Sequence, residues 1–224
     1  MRNLLTYSPV LVAIISFSSM AFEKVDKTLT ADDVSHVIIE NQRGNISIQG
    51  NDKNNVTVVG KLDEEAKELV FVKDGSTIRV HVVMPKHYDG GWGSNNDGSD
   101  LTITLPADLK VSFNGVSADV DVENINKSVD VKTVSGNIAA RKLNEHIELN
   151  AISGNIKTQG LKGKVYISSV SGDVKDRGSS GRLSIHAVSG DIESRSEAKE
   201  VSIETVSGEI ELMLGTVEDI EIST

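Results

Sequence analysis

The chain has 224 residues, a formal net charge of −10, no cysteine, and aromatic residues at only 4% of its positions. Without cysteine it can form neither a disulfide nor a thioether-linked lipid anchor, so a hydrophobic core must hold the fold together. An acidic chain that lacks a block of lysine or arginine is also poorly suited to nucleic acids and anionic lipids, and neither is expected as a partner.

The N-terminus has the order of a secretory signal peptide. Arg2 supplies a positive start, Val10 to Phe17 forms a short apolar run, and Ser19-Met20-Ala21 fits a small-x-small cleavage site. The apolar run is shorter than the roughly 20 residues that a membrane-spanning helix needs. We therefore predict that residues 1–21 are removed on export, a retained anchor being the alternative. The mature chain should have no membrane span and should reside in the periplasm or on the cell surface of a bacterium.

Residues 22–115 are predicted to form irregular β coils. The segment from Val37 to Ile46 has the same inward positions, glycine and isoleucine as a later repeat, so coils should begin near Val37. Three strand-like segments follow: Val56–Val59, Leu69–Lys73 and Thr77–Val83. Because Asp74-Gly75 between the last two is a hairpin signal, we predict one antiparallel hairpin there.

Residues 86–100 (KHYDGGWGSNNDGSD) have the composition of an exposed loop between two strands. They hold the only tryptophan, Trp92, four residues after Tyr88. An exposed aromatic ring can stack on a sugar or anchor a protein contact, and nearby carboxylates can add hydrogen bonds. We therefore predict a ligand-binding site made of Tyr88, Trp92, Asp97 and Asp100. The alternative is that the ring folds back over an edge of the coils.

Residues 116–224 repeat one short phrase at a constant step of 18 residues. Its six copies are Val116-Ser-Ala-Asp-Val120, Val134-Ser-Gly-Asn-Ile138, Ile152-Ser-Gly-Asn-Ile156, Val170-Ser-Gly-Asp-Val174, Val188-Ser-Gly-Asp-Ile192 and Val206-Ser-Gly-Glu-Ile210. A fixed period is typical of an array of similar structural units. An 18-residue unit is too short for a propeller blade, which needs roughly 40 residues.

Within each repeat, apolar and polar residues alternate, which predicts two short strands that each bury one face. The Ser-Gly pair would form the corner between them, since glycine reaches positive φ without steric cost. No helix-length pattern lies between equivalent strands. We therefore predict an all-β fold, a parallel β-solenoid with 18-residue coils stacked about 4.8 Å apart.

The repeated phrase, of the type Thr-Val-Ser-Gly-Asp-Ile, follows an N-terminal Glu-Asn-x-x-Gly-x-Ile segment at Glu40–Ile46. Together they resemble the bacterial domain-of-unknown-function family labelled "putative adhesin", and the chain is also similar to the head domain of autotransporter adhesins. The resemblance runs from about Val37 to the end. It implies a secreted or periplasmic β-helix-like protein and supplies no catalytic residues. Ala118, which replaces the corner glycine in the first copy, indicates a slightly different corner.

The residue after each corner glycine is the best candidate for chemistry. This column contains Asn137, Asn155, Asp173, Asp191 and Glu209. If stacked, its three acids would lie about 5 Å apart and repel one another by roughly 1 kcal/mol per pair in water, which a cation such as Ca²⁺ could relieve. Asp173, Asp191 and Glu209 are thus the candidate metal ligands. The stronger alternative is structural, because Asn and Asp favour tight turns.

The sequence contains no nucleophile–base pair and no cofactor motif, so no cofactor beyond that Ca²⁺ is expected and no enzyme is predicted. We predict an exported adhesin-like interaction module that contacts an envelope or host surface protein or glycan. One alternative is a carbohydrate-active β-helix enzyme, a polysaccharide lyase or hydrolase, whose mark would be carboxylates and a lysine or arginine on one groove. The other is a structural envelope assembly protein that associates end to end.

Overall fold

The computed structural model describes residues 24–85 and 98–224, and within these ranges the chain is all-β, with no helix. The signal segment 1–21 and the predicted ligand residues Tyr88, Trp92 and Asp97 lie outside them. The strands are β1 (Lys24–Thr30), β2 (His36–Asn51), β3 (Asn55–Lys61), β4 (Glu68–Asp74), β5 (Thr77–Val83), β6 (Ser99–Pro106), β7 (Lys110–Glu123), β8 (Val129–Thr133), β9 (Ile138–Arg141), β10 (Asn144–Ala151), β11 (Ile156–Gln159), β12 (Lys162–Ser169), β13 (Val174–Ser189), β14 (Ile192–Ser207), β15 (Ile210–Leu214) and β16 (Asp219–Ser223).

The strands of the repeated region pair in parallel with their equivalents one repeat away. In what we call the first ladder, which holds β8, β10, β12 and β16, Ile147 of β10 pairs with Val129 and with Val165. In the second ladder, which holds β9, β11 and β15, Ile156 of β11 pairs with Ile138 and with Val174. These partners are all 18 residues apart, so equivalent side chains stack in columns.

The long strands β7, β13 and β14 run through a corner and belong to both ladders. The first part of β7 pairs with β8 and its second part with β9, while β13 pairs with both β12 and β11. These pairings close a ring of seven parallel strands: β7, β8, β10, β12, β13, β11 and β9. The ring wraps its apolar faces around one interior.

The core consists of the inward columns that the alternation predicted. In the first ladder these are Val129, Ile147, Val165, Leu183 and Val201, followed two residues on by Val131, Leu149, Ile167, Ile185 and Ile203. Ile138, Ile156, Val174 and Ile192 face them from the second ladder and are equally buried. Each such side chain contributes about 1.5–3 kcal/mol of hydrophobic stabilisation relative to exposure.

The N-terminal part contains the predicted hairpin and two antiparallel pairings that the sequence did not indicate. β4 and β5 pair antiparallel, with Asp74 opposite Thr77 across the turn. In addition, β3 pairs antiparallel with both β1 and β6. β2 begins at His36, close to the predicted start at Val37, and pairs in parallel with β5, β6 and β7. It therefore joins the irregular part to the repeats.

A buried ion pair fixes the loop between β3 and β4. Asp63 accepts hydrogen bonds from Nε and one terminal nitrogen of Arg43, the latter at 2.9 Å. The backbone N–H of Asp63 donates to the hydroxyl of Ser99 at 3.1 Å. The hydrogen bond to Asp63 raises the pKa of Arg43 above its ordinary value. Asp63 is buried although its neighbours in the sequence indicate a solvated loop or a helical turn.

His36 at the start of β2 makes stability depend on pH. Burial lowers the pKa of His36 below its ordinary value of 6.5, and the positive charges of Lys110 and Arg79 add to the effect. His36 therefore binds a proton more readily in the unfolded chain than in the folded one. Its contribution to folding stability is fully present above the pKa of His36 in the unfolded chain, and it is lost as the pH falls below that pKa.

We expect His36→Gln to lose less stability than the wild type as the pH falls from about 7 to about 5. Gln can still bond to the Ser112 hydroxyl, which lies 2.9 Å from Nε2 of His36. Denaturant titrations at several pH values measure the difference, and the other titrating groups are common to both proteins. Parallel pH profiles for the two proteins would contradict the prediction.

Candidate functional site

The corner glycines are required by the close approach of successive repeats. A Cβ atom on Gly154 would collide with the carbonyl oxygen of Gly136 and would lie 2.5 Å from its carbonyl carbon. The prediction that positive φ explains the glycine is wrong at Gly136, Gly154 and Gly172, since none of them adopts it, whereas Gly190 does. At Ala118 the corner differs, as predicted, because β7 continues through it without a break.

The residue that opens each corner phrase points into solvent. These residues form what we call the aliphatic ladder, and they are between 40% and 74% exposed: Val116, Val134, Ile152, Val170, Val188 and Val206. The backbone beside them is tightly bonded; for example, the N–H of Ser153 donates to the carbonyl of Val134 at 2.7 Å. With about 4.8 Å between neighbouring paired strands, the six side chains form an apolar stripe about 24 Å long.

The side chain of the residue after each glycine bonds the backbone of the next repeat. The Asn137 side-chain oxygen accepts the backbone N–H of Asn155 at 3.0 Å, and Asn155 accepts that of Asp173 at 2.9 Å. The same bond runs from Asp191 N–H to Asp173 at 3.1 Å and from Glu209 N–H to Asp191 at 2.9 Å. These side-chain bonds hold neighbouring repeats together at the corner, a structural role between repeats rather than within one tight turn.

The candidate metal ligands lie together at the C-terminal end of this column. Asp173, Asp191 and Glu209 line one shallow cavity of about 190 Å³, and Lys175 lines it too. One oxygen of Asp173 and one of Asp191 already accept backbone hydrogen bonds. Across residues 24–85 and 98–224, no group of three or more histidines or acids has an arrangement suited to a metal ion.

Asp100 lies in β6, in register with Asn45, and lines a groove of about 450 Å³. The groove also contains Asp119, Asp121 and Lys157. Because Tyr88, Trp92 and Asp97 lie outside the described residues, Asp100 is the one member of the predicted ligand site that the structure places. The carboxylates that line this groove come from different strands, and the sequence did not indicate that they lie together.

Two of these carboxylates already have partners. Oδ1 of Asp119 accepts the backbone N–H of Asn137 at 2.7 Å and its side-chain amide at 3.1 Å. Asp121 lies 2.8 Å from a terminal nitrogen of Arg141, which also contacts Glu123 at 3.3 Å. The polar groove is therefore held in shape by contacts within and between coils.

The core contains a cluster of polar side chains that the sequence-based expectations did not include. Asp176 in β13 is fully buried, and its carboxylate accepts hydroxyl hydrogen bonds from Thr158 at 2.6 Å and Ser194 at 3.0 Å, as well as from Ser179. The sequence does contain a signal for the burial of Asp176. It lies two residues after the inward Val174, and alternation places that position inward. The three hydroxyls come from three successive repeats, so this network ties the repeats together.

The match to a known family covers most of the chain. The family model described as Toastrack DUF4097 matches residues 34–224. The chain belongs to the Toastrack DUF4097 family. The match begins just before β2 and includes all six copies of the corner phrase. It confirms the resemblance to an adhesin-like domain family of unknown function. The chain has no significant match among curated proteins.

Several solved structures resemble this Toastrack DUF4097 chain. One is a "putative cell adhesion protein" of Clostridium sporogenes, 12% identical, which covers 91% of this chain and 99% of its own with a TM-score of 0.44. A "putative lipid binding protein" of Parabacteroides distasonis is 16% identical and covers 89% and 96%, with a TM-score of 0.49. A "putative adhesin" of Bacteroides fragilis is 18% identical and covers 90% and 97%, with a TM-score of 0.40.

The described ranges contain no helix with the length and apolar character of a membrane span.

Proposed function

We propose that the protein is an exported, non-catalytic β-solenoid that acts as an adhesin-like interaction module of the bacterial cell envelope or surface. In this proposal residues 1–21 are a signal peptide, residues 22–115 form irregular coils, and residues 116–224 form regular coils. The observation that carries the proposal is the aliphatic ladder, because it presents the same exposed apolar group on six successive coils.

The solenoid architecture is supported by the strand register. Each 18-residue unit runs through one strand of the first ladder, a corner, and one strand of the second ladder before it returns. Parallel pairing at a constant step of 18 residues is what stacked coils produce, as for Ile147 with Val165 and Ile156 with Val174. Each coil then contacts only its neighbours, which is typical of a repeat protein.

The aliphatic ladder favours a protein partner with an apolar ridge. Contiguous exposed apolar surface of this kind is uncommon on soluble proteins without a binding role, since burying it on a partner is favourable. Its side chains are aliphatic, whereas sugar rings in protein sites typically stack on aromatic side chains. The predicted loop site at Tyr88, Trp92, Asp97 and Asp100 supplies such rings and remains our proposal for a glycan contact.

A carbohydrate-active enzyme is the second candidate, and the groove at Asp100 is the observation that favours it. Three carboxylates and Lys157 line that groove. However, Asp119 accepts hydrogen bonds from Asn137 and Asp121 pairs with Arg141, so both carboxylates already make structural contacts. We therefore favour the non-catalytic proposal.

End-to-end self-association remains a prediction. The last coil carries three exposed apolar side chains: Met213, Ile220 and Ile222. A second copy of the chain could cover them, and the resulting oligomers would depend on protein concentration.

The test is a binding assay with the purified full-length chain on immobilised surface proteins and on envelope and host glycans, with and without Ca²⁺. We expect retention without release of new sugar ends. Ile152→Ser combined with Val170→Ser should weaken protein binding about tenfold, since burial of two aliphatic groups is lost. Calcium-dependent retention would support the metal proposal at Asp173, Asp191 and Glu209.

The matched control is Val59→Ser combined with Val72→Ser, which replaces two similarly exposed valines on the N-terminal strands. Equal loss in both double variants would contradict the assignment to the aliphatic ladder. Loss of glycan retention in Trp92→Ala would support the loop site. New sugar ends, abolished by Asp100→Asn, would overturn the non-catalytic proposal in favour of the enzyme.

A further inference from the structure

The outer face of the second ladder carries a cluster of positive charges in an otherwise acidic chain. Four cations line a shallow cavity of about 470 Å³: Arg141, Lys157, Lys175 and Arg177. They come from three neighbouring strands, β9, β11 and β13, whose register places Lys157 beside Lys175. The remaining lining residues are Ala139, Thr158 and Gln159, so no carboxylate lines the cavity.

Two of the four cations have local partners and two do not. Arg141 contacts Asp121 at 2.8 Å, and Lys175 contacts Glu193 at 3.4 Å. Within the described part of the chain, Lys157 and Arg177 form no ion pair. Their exposed charges therefore lie diagonally across the cavity and are available to an incoming anion.

Acidic residues limit the length of this positive surface. In the same outward columns, Asp121 and Glu123 precede it and Glu193 and Glu211 follow it. Arg195 follows Arg177 in one column, but it is paired with Glu193 at 3.3 Å. The cations span three coils, or about 10 Å at the spacing between parallel strands. A long polyanion would extend over the flanking acids and be repelled, whereas a short anion would not.

The size of the cavity indicates more than a bare inorganic ion. Small-molecule sites typically have volumes of about 300–1,000 Å³. The amide of Gln159 can both donate and accept hydrogen bonds, as the hydroxyls of a sugar require. Charge-assisted hydrogen bonds from lysine and arginine are the strong contacts for carboxylate, sulfate or phosphate.

We propose that this cavity binds a short acidic saccharide through its anionic group. Lys157 and Arg177 would contact the carboxylate, sulfate or phosphate, while Gln159 would contact a hydroxyl. The cavity does not include the aliphatic ladder, and it shares Lys157 with the groove at Asp100. The inference rests on its own cations and not on the aliphatic ladder that carries the proposed function.

One other role for the cations must be distinguished. Asp176 lies in the core below Thr158, which donates to it at 2.6 Å. Lys157 and Arg177 could simply offset that buried negative charge. In that case their removal would destabilise the fold and would leave no anion binding to lose.

The experiment is a calorimetric titration of the full-length chain with glucuronate, glucose 6-phosphate, inorganic phosphate and glucose. We expect the two acidic sugars to bind more tightly than inorganic phosphate, and glucose not to bind. Affinity should fall when salt rises from about 0.01 M to about 0.15 M, because exposed charges are then screened. Lys157→Gln combined with Arg177→Gln should weaken binding about tenfold or more.

The control is Lys164→Gln combined with Arg182→Gln, which removes the same two charge types from neighbouring coils on the first ladder. It should leave the affinity unchanged, and thermal melts show whether each variant remains folded. Equal affinity for glucuronate and glucose, or equal loss in both double variants, would overturn the proposal. Absence of anion binding together with a lower melting temperature in the Lys157/Arg177 variant would assign the cations to Asp176 instead.

Discussion

Gly154→Ala should destabilise the protein by about 3 kcal/mol or more, at the upper end of the range for overpacking. The new Cβ would collide with the carbonyl of Gly136, which belongs to the backbone of the previous repeat and cannot rotate away as a side chain would. Relief requires the two corners to separate, and that would strain the hydrogen bond from Ser153 N–H to the Val134 carbonyl. The corresponding fall in melting temperature is roughly 6–12 °C for a chain of this size.

Two other alanine variants separate the collision from other effects of replacing glycine. Gly215→Ala meets only the end of the flexible Glu197 side chain, so it should cost little. Gly160→Ala has nothing within 4 Å of its Cβ but lies at a φ of +66°, so it measures backbone strain alone, about 1–2 kcal/mol. Thermal and denaturant unfolding measure the loss of stability in each of the three alanine variants. If Gly154→Ala were no less stable than Gly215→Ala, coil stacking at the corner would not be the reason for the glycine.

The regular half of the fold could be predicted because its six corner phrases recur without insertion or deletion. Equal spacing means that like residues stack, so the alternation around Ile147 could be read from any of the copies. The N-terminal half has no such redundancy. The antiparallel pairings of β3 with β1 and β6 join segments that are far apart in sequence, and no turn signal connects them.

The surface features were harder to predict, for a different reason. Alternation from the inward Thr133 places Val134 outward, but its aliphatic side chain favours burial, so the two signals conflict. The cation cavity is formed by residues on neighbouring strands that lie 16 to 20 positions apart, such as Lys157 and Arg177. Their proximity follows only once the strand register is known.

Asp176→Ala should also be strongly destabilising, by about 3 kcal/mol. The Asp176 carboxylate accepts hydrogen bonds from three buried hydroxyls. Without the carboxylate, these hydroxyls lose their acceptor in a fully buried site. A buried polar group without a partner costs about 1–3 kcal/mol. The neighbouring repeats hold the smaller Thr158 and Ser194 in the same column, so the space itself does not require a carboxylate. Denaturant unfolding of the variant measures the loss.

The decisive comparison replaces the whole network at once. A quadruple variant with Thr158→Val, Asp176→Leu, Ser179→Ala and Ser194→Ala removes the acceptor and its three donors together, so no buried hydroxyl of the network is left unsatisfied. Because apolar replacement of a complete buried polar network is often neutral or stabilising, we expect it to lie within about 1 kcal/mol of the wild type. If the quadruple variant were instead less stable than Asp176→Ala, the network would contribute net stability. The hydroxyl and carboxylate groups would then bind the coils together more strongly than an apolar core at the same positions.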